Sequence, residues 1–417
     1  MRFYSTRDKE KKLVSASDAL LMGLAEDGGL FVPEYFPSID FSSLDFSSYA
    51  SVASSVLYPF FSEDIDEDEM KRICISAFNF PVPTRRDGGA DTLELIYGPT
   101  SAFKDFGARF LSSCMEYILK KRGEKRTVLV ATSGDTGGAV ASAFFKKENI
   151  EVRVLFPLSR VSERQQAQLT TWGENIKSYA VRGSFDDCQK MVKDAFMDES
   201  IEGLTSANSI NIARLLPQCV YYVYSSYLYF LTYNEMPVFI IPSGNVGNAT
   251  ACYWAKKMGS PIKSITLALN SNRTVLDYLE SGVYKKRASI ATLANAMDVG
   301  APSNIERLFD LFSDYEEFKN NVSAYSVSDD EIRDTIKREW DEKRHAICPH
   351  TACGEYVRRK YLAGLPSIVV ATAHPAKFYD IVEPIIGNAV AIPENLFRML
   401  EKKQEYSVID ASYTLLF

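Results

Sequence analysis

The chain has 417 residues, 46% of them hydrophobic and 24% charged, and its formal net charge is −7. This length favours two or three domains, and the composition is that of a globular protein with a buried apolar core. The acidic balance and the lack of a long basic run in the sequence argue against a nucleic-acid partner.

The hydrophobic pattern predicts neither a membrane span nor a signal peptide. The most apolar stretch, 219–233, is shorter than the roughly 20 residues of a span and is interrupted by Ser225 and Ser226, so we expect a buried, tyrosine-rich helix. The first ten residues carry acids and lack an apolar centre. Seven cysteines without the spacing of a disulfide framework suit a reducing compartment. We therefore predict a cytoplasmic protein.

In chain order, residues 1–85 are rich in serine and aromatic residues and are predicted to form a mainly helical N-terminal subdomain. The polar segment 81–90, dense in glycine and proline, marks its end. Beyond it, β-branched apolar runs alternate with small-residue loops and helical periods, which predicts parallel sheets covered by helices on both faces. The predicted strands are 93–96, 127–132, 150–156, 176–181, 238–241, 262–269 and 368–372.

Ligands of such sheets bind at the carboxyl ends of the strands, where three conspicuous loops lie. The first loop passes through Gly98-Pro99 and leads to Lys104, next to a helix that begins near Asp105. The positive end of a helix lowers the pKa of a partly buried amine, and condensation with a carbonyl requires a neutral amine. An ordinary surface lysine is the alternative.

The other two loops combine glycines with hydroxyl and amide side chains. Residues 243–248 lie between an apolar strand and a helix, a position that suits a phosphate, although their glycine spacing matches neither a Walker loop nor a dinucleotide site. Residues 133–138 could bind a carboxylate through hydroxyls and main-chain amides. An ordinary turn between strand and helix is the alternative for both.

A short segment near the C-terminus carries four possible metal ligands, namely His345, Cys348, His350 and Cys353. Structural zinc sites usually close a longer loop between two pairs of ligands. We favour a loop that enters a helix, with the thiols as small apolar fillers, and predict no metal site.

The order of these motifs resembles that of the threonine synthase family. The motifs are PTSAFKDFG (99–107), TSGDTG (132–137), NSINIARL (208–215), PSGNVGN (242–248), NAMDV (295–299), PHTA (349–352) and ATAHPAKF (371–378). The opening segments FYSTR (3–7) and GGLFVP (28–33) are also similar to that family. One loop alone is weak evidence, but the ordered set covers essentially the whole chain. It points to the branch shared by many bacteria and fungi.

The resemblance implies an α/β protein, a fold-type II pyridoxal phosphate enzyme similar to the tryptophan synthase β-subunit. Its two parallel-sheet domains would be a large cofactor-binding domain, 86–111 and 216–417, and a small mobile domain, 112–215. The implied cofactor is pyridoxal 5'-phosphate. The implied activity is that of a lyase that converts O-phospho-L-homoserine and water into L-threonine and phosphate, the last step of threonine biosynthesis.

The resemblance also implies roles for individual residues. Lys104 matches the lysine that forms a Schiff base with the cofactor and moves protons, and Thr372 matches the hydroxyl at the pyridine nitrogen. The implied ligands of the cofactor phosphate are Gly244, Asn245, Val246, Gly247 and Asn248, with valine at a position where the family often has phenylalanine. The implied site for the substrate carboxylate consists of Ser133, Gly134, Asp135 and Thr136. The candidates for the substrate phosphate are Arg160, Ser162, Asn208, Asn211 and Arg214.

Met297 and Asp298 lie in a family motif for which the sequence gives no role. Three other functions stay open: a hydroxyamino-acid dehydratase of the same fold, a non-catalytic relative that only binds a metabolite, and a metal-dependent interaction protein. A monomer is favoured over a homodimer.

Overall fold

The structure is a computed structural model that describes residues 1–132, 134–159 and 161–417. Its strands are β1 (Arg2–Ser5), β2 (Val14–Ser15), β3 (Phe31–Pro33), β4 (Thr84–Arg85), β5 (Ala90–Glu94), β6 (Arg126–Ala131), β7 (Ile150–Pro157), β8 (Ile176–Arg182), β9 (Leu204–Ser206), β10 (Val238–Pro242), β11 (Ser264–Leu269), β12 (Ser323–Ser326), β13 (Ser367–Ala371) and β14 (Ser407–Asp410). The predicted strands are all present, with ends shifted by at most three residues.

Helices of very different length connect and cover these strands. They are α1 (Ala16–Met22), α2 (Tyr49–Phe61), α3 (Glu67–Ala77), α4 (Lys104–Arg122), α5 (Asp135–Phe144), α6 (Glu163–Thr170), α7 (Phe185–Met197), α8 (Ile212–Tyr233), α9 (Gly247–Lys257), α10 (Thr274–Ser281), α11 (Ile305–Leu311), α12 (Tyr315–Asn321), α13 (Asp329–Lys343), α14 (Pro349–Tyr361), α15 (Tyr379–Ile386) and α16 (Glu394–Leu400). Short 3-10 helices lie at Asn295–Met297, Pro375–Phe378 and Tyr413–Leu416.

The strands form three sheets. The larger α/β sheet has the order β12-β11-β10-β13-β5-β4 and is parallel except for the antiparallel pair of β4 and β5. The smaller one, β14-β8-β7-β6-β9, is parallel throughout. The N-terminal segment adds an antiparallel sheet, β2-β1-β3, to α1–α3. Two parallel-sheet units and a mainly helical N-terminal part agree with the predicted fold class.

Burial explains why the sequence selects these elements. Every residue of β10 and of β13 is buried, as continuous apolar runs in a parallel sheet require. The stretch 219–233 forms most of α8, and most of the tyrosines of this helix pack into the main core. None of the helices in the described part of the chain is long and apolar enough to cross a membrane.

One part of the domain division differs from the predicted boundaries. Strand β14 pairs with β8, Ser407 opposite Tyr179, so the C-terminal segment lies on the smaller sheet rather than in the large domain. The guanidinium of Arg153 on β7 also donates to the carbonyl of Leu416. β14 is four residues long and mostly exposed, so its sequence lacks the apolar run that identifies the other strands.

Candidate active site

The carboxyl ends of β5, β6, β10 and β13 and the loops that follow them surround a cavity of about 390 Å³ between the two α/β sheets. The predicted site residues that line it are Lys104, Asp135, Thr136, Asn208, Arg214, Gly244, Asn245, Val246, Gly247, Asn248 and Thr372. Gly134, Ser162 and Asn211 do not line it among the described residues. Ser133 and Arg160 lie outside the residues that the structure describes.

A larger cavity of about 700 Å³ lies at the amino ends of β5 and β13. Charged side chains in its lining form ion pairs with one another, since Lys343 pairs with Asp87 and Arg338 pairs with Glu342. The smaller cavity is therefore the better candidate for catalysis.

Lys104 is held in place by the loop that precedes it. The main-chain N–H and the hydroxyl of Thr100 both donate to the carboxylate of Asp105, at 2.9 and 2.7 Å. A Cβ at Gly98 would lie 2.3 Å from the Asp105 carboxylate, so this turn needs glycine. Phe103 donates its N–H to the carbonyl of Thr372 at 2.9 Å, which ties the loop to the end of β13. Lys104 then begins α4 at the edge of the cavity.

The environment of Lys104 favours its neutral amine. Burial is the main cause that lowers the pKa of Lys104 to about 8, and the cations Lys377 and Arg214 lower it further. The carboxylate of Asp135 opposes this change. A lysine with this pKa has a much larger neutral fraction near neutral pH than an exposed lysine, as a nucleophilic or basic amine requires.

The loop between β10 and α9 forms a cradle for an anion. Gly247 and Asn248, the first residues of α9, line the cavity, and among the described residues no side chain caps this helix. The first N–H groups of a helix have no partner within it and suit an anion. Val246 has a φ of 63°, which turns the chain into this helix. A Cβ at Gly244 would lie 2.6 Å from the Cα of Met297, so only glycine allows these two segments to approach so closely.

The side chains of two asparagines in this loop have different roles. Asn245 donates to the hydroxyl of Ser209 at 2.6 Å and accepts from the N–H of Ser303 at 2.6 Å, so its side chain fixes the loop rather than facing a ligand. Asn248 accepts from the hydroxyls of Tyr221 and Tyr222. Its buried Nδ2 has no partner among the described residues. A buried amide donor without a partner is costly, and a bound phosphate oxygen would satisfy it.

The loop between β6 and α5 is ordered around one hydroxyl. The Oγ1 of Thr132 accepts from the N–H groups of Gly134 and Gly137, at 3.0 and 2.9 Å. Asp135 begins α5 and forms a buried ion pair of 2.9 Å with Lys377. Burial by itself would raise the pKa of Asp135, but Lys377 and Lys104 lower it to about 2. The Asp135 carboxylate would repel the carboxylate of a substrate. In this loop, the Thr136 hydroxyl and the main-chain amides are therefore the groups that could donate hydrogen bonds to the substrate carboxylate.

The candidates for a second anion separate into two groups. Ser162 and Asn211 cap α6 and α8, where their side chains accept the N–H of Gln165 and of Ala213. Arg214 and Asn208 line the cavity. Burial lowers the pKa of Arg214 to about 10, so the guanidinium stays charged at neutral pH, and its Nε has no partner among the described residues. The geometry thus favours Arg214 and Asn208 over the two capping residues.

Comparison with known proteins identifies the family. Residues 93–370 match the family described as pyridoxal-phosphate dependent enzyme, and 2–78 and 351–416 match the N-terminal and C-terminal families of threonine synthase. The threonine synthase of Escherichia coli is 38% identical over 406 residues, which cover 95% of this chain and 94% of that protein. The threonine synthase of Saccharomyces cerevisiae is 32% identical, and the alignment covers 98% of this chain and 95% of the yeast protein. The chain belongs to the threonine synthase family.

Solved structures agree with this assignment. A pyridoxal-phosphate-bound threonine synthase from Brucella melitensis has a TM-score of 0.93 at 35% identity, covering 100% of this chain and 98% of that one. The Escherichia coli threonine synthase has a TM-score of 0.90 at 34% identity, with coverage of 100% and 98%. The predictions of the family, the fold type and pyridoxal phosphate as cofactor are confirmed. The chain is a pyridoxal-phosphate-dependent lyase.

Residues of three further family motifs lie in or next to the site. Asp298 accepts from the side chains of Asn270 and Thr292, at 2.8 and 2.7 Å, and so fixes the loop that carries Met297 against Gly244. The sequence had left this role open. Lys377 and His350 were not predicted as site residues. The sequence showed both within family motifs, but it gave no sign that α14, which contributes His350 to the cavity, packs against the 3-10 helix after β13.

His350 is a buried donor that faces the cavity. Its Nε2 accepts the N–H of Ala296 at 3.1 Å, so the neutral imidazole carries its proton on Nδ1. That Nδ1 is buried without a partner among the described residues. Burial is the main cause that lowers the pKa of His350 to about 4, so the ring stays neutral at physiological pH. It is suited to donate one hydrogen bond to a bound oxygen.

The two cysteines of the His/Cys segment, Cys348 and Cys353, form hydrogen bonds within the first turn of α14. Cys348 caps α14, and Cys353 donates to the carbonyl of Pro349 within that helix. In residues 1–132, 134–159 and 161–417, groups of three or more potential metal ligands do not occur.

Replacing His350 with phenylalanine is expected to lower kcat/KM for phosphate release by about ten- to a hundredfold, because a bound oxygen loses its donor in a buried site. Since the imidazole is neutral, the loss should be the same at every pH between about 6 and 9. Steady-state rates of the purified variant across that range test this. A loss that grows toward either end would show that His350 acts by exchanging a proton instead.

Proposed function

We propose that this chain converts O-phospho-L-homoserine and water into L-threonine and phosphate, and that it does so as a cytoplasmic monomer. The observation that carries the proposal is a single cavity in which the Lys104 amine lies with a cradle for one phosphate and, apart from it, the buried cation Arg214. A substrate with a phosphate of its own needs this second cation, whereas serine or threonine does not.

The residues of the cavity fit the cofactor. The glycine at 244 leaves room for the loop, the N-terminus of α9 faces inward, and the Asn248 amide lacks a partner among the described residues. The hydroxyl of Thr372, which lines the cavity, would meet the pyridine nitrogen without imposing a charge on it. Bound there with Lys104, pyridoxal phosphate would supply the electron sink that makes the protons of an amino acid removable.

Lys104 is the residue that we propose to move protons. As a neutral amine it accepts the proton from the substrate α-carbon and can release protons later in the cycle. Over the whole reaction the β-carbon loses one proton and gains a hydroxyl from water. The γ-carbon loses phosphate together with the electron pair of its C–O bond and gains a proton. One basic amine that serves adjacent carbons is consistent with a lysine on a flexible side chain beside the substrate.

Arg214 and Asn208 are the proposed ligands of the substrate phosphate. The Nη1 of Arg214 is anchored to the carbonyl of Ala207 at 2.6 Å, which orients the guanidinium at the cavity. Thr136 and the main-chain amides at the start of α5 are the proposed donors to the substrate carboxylate. These two sets lie on elements that flank the cavity, so that substrate could bridge them.

Water must enter at one step of this reaction and be excluded at others. We propose that the small domain, 112–215, closes over the bound substrate, and that the C-terminal strand β14 moves with it because it pairs with β8. The ligands at the start of α5 and at or just before the start of α8 would then reach the substrate only in the closed form.

The test compares two substrates on the purified protein reconstituted with pyridoxal phosphate. We expect phosphate release from O-phospho-L-homoserine with formation of one threonine per phosphate, and no oxo acid from threonine or serine. Addition of O-phospho-L-homoserine should also change the visible absorbance of the bound cofactor. Oxo-acid formation from threonine without phosphate release would instead identify a dehydratase, and an unchanged spectrum would indicate a non-catalytic relative.

A further inference from the structure

The ammonium group of Lys377 joins the two loops that frame the reaction centre. Lys377 lies in the 3-10 helix that follows β13, and its side chain is 1% exposed. Its Nζ lies 2.9 Å from the carboxylate of Asp135 at the start of α5. The same Nζ donates at 2.8 Å to the carbonyl of Thr100, in the loop that leads to Lys104. One buried cation therefore connects the larger sheet, the lysine loop and the smaller sheet.

Two amines compete for the Asp135 carboxylate. Lys104 and Asp135 line the same cavity and interact electrostatically. However, among the described residues no carboxylate oxygen lies within 4.0 Å of the Nζ of Lys104. A buried carboxylate without a partner is strongly disfavoured, so Asp135 pairs with whichever cation is held closest to it. The backbone anchor at Thr100 keeps Lys377 in that position.

We propose that Lys377 is a positioning residue that keeps the carboxylate of Asp135 from pairing with Lys104, so that the Lys104 amine is free to accept a proton. The proposal rests on the proton-transfer role proposed above for Lys104. It adds a second lysine that does not touch the reacting carbon and acts only through Asp135.

The charges around Lys104 act in opposite directions, and Lys377 affects the balance. Four side chains from four elements face it: Asp135, Lys377, Arg214 and His350. Lys377 and Arg214 lower the pKa of Lys104, Asp135 raises it, and His350 is neutral at physiological pH. Asp105 lies on the helix of Lys104, but it is engaged by Thr100. Loss of Lys377 would thus remove a repelling cation and release the carboxylate toward Lys104.

The test measures the protonation of Lys104 in two ways. The first is the rate at which acetic anhydride labels Lys104 in the full chain without cofactor, followed by mass spectrometry from about pH 6 to 10. The second is the pH profile of kcat for phosphate release by the reconstituted enzyme, because kcat reports the substrate complex, in which Lys104 is no longer engaged by the cofactor. For Lys377→Met we expect both acid limbs to move up by at least about one pH unit, so that labelling at pH 7 slows about tenfold. Lys256 is the internal standard, because its pKa is also lowered by burial but it lies outside the cavity.

Three further variants separate positioning from a general structural role. Lys377→Arg keeps the cation and should restore both profiles. The double variant Lys377→Met/Asp135→Asn should return the labelling of Lys104 to the pH range of the wild type or below, because an amide cannot hold an ammonium group. Asp135→Asn alone should speed up labelling at a given pH, and it keeps the proposal testable if Lys377→Met does not fold.

A Lys377→Met protein whose labelling profile equals that of the wild type would overturn the proposal, as would unchanged labelling in Asp135→Asn. These results do not depend on the reaction catalysed. If the wild type released no phosphate, the proposed function would fail while the labelling still tested the competition between the two lysines.

Discussion

Alanine at position 104 is expected to lower kcat for phosphate release by at least about 10⁴-fold, because it removes both the amine that engages the cofactor and the group that moves protons. Lys104 is the first residue of α4 and lies at the edge of the cavity, where burial lowers the pKa of its amine to about 8. Water that fills the vacated space cannot replace a positioned base of that pKa. The measurement is single-turnover phosphate release at saturating substrate.

The matched control is Lys256→Ala. Lys256 is also partly buried, has a lowered pKa and donates to the carbonyl of Lys263 at 2.8 Å, but it lies at the far end of α9 from the cavity. Its loss should leave kcat within about twofold and change only the thermal stability slightly. A Lys104→Ala protein that kept more than about 1% of the wild-type kcat would show that another group moves the protons.

The sequence predicted the position of Lys104 well because the signals are local. A strand, a Gly-Pro turn and a helix start place the lysine at a helix N-terminus, and Gly98 confirms the tight turn by its contact with Asp105. The loop before α9 could be predicted for the same reason. Its glycines and the helix that follows are neighbours in the chain, and only the contact of Gly244 with Met297 required the tertiary structure.

Residue type and local sequence were not sufficient to predict a ligand-binding residue where the same residue type has two common roles. Serine and asparagine bind phosphates, but they also cap helices, and both Ser162 and Asn211 do the latter. For Ser162 the sequence held the answer, because Gln165 three residues later completes a capping box. The ion pair of Lys377 with Asp135 could not be predicted, since it joins distant segments through two different sheets.

Alanine in place of Gly244 is expected to raise the dissociation constant for pyridoxal phosphate by about one to two orders of magnitude. The new Cβ would lie 2.6 Å from the Cα of Met297, and because this neighbour is backbone, no rotamer change can relieve the clash. The loop must move away from the segment that Asp298 fixes, which shifts the amides at the start of α9. Misplacing one or two charge-assisted hydrogen bonds costs about 2–3 kcal/mol, which gives the expected change.

Titration of the cofactor-free protein with pyridoxal phosphate, followed by absorbance, provides the measurement, and Gly387→Ala is the control. Gly387 ends α15 with a φ of 68° and has open space around it, so alanine there strains the backbone by about 1–2 kcal/mol without reaching the cavity. We expect Gly387→Ala to lower the melting temperature and to bind the cofactor normally. Gly244→Ala should show the opposite pattern. Without cofactor its melting temperature should stay close to that of the wild type, because a loop at the rim of a cavity can shift without opening the core, but its affinity for the cofactor should be low. Equal affinity of Gly244→Ala and wild type would show that the phosphate is held elsewhere in the cavity.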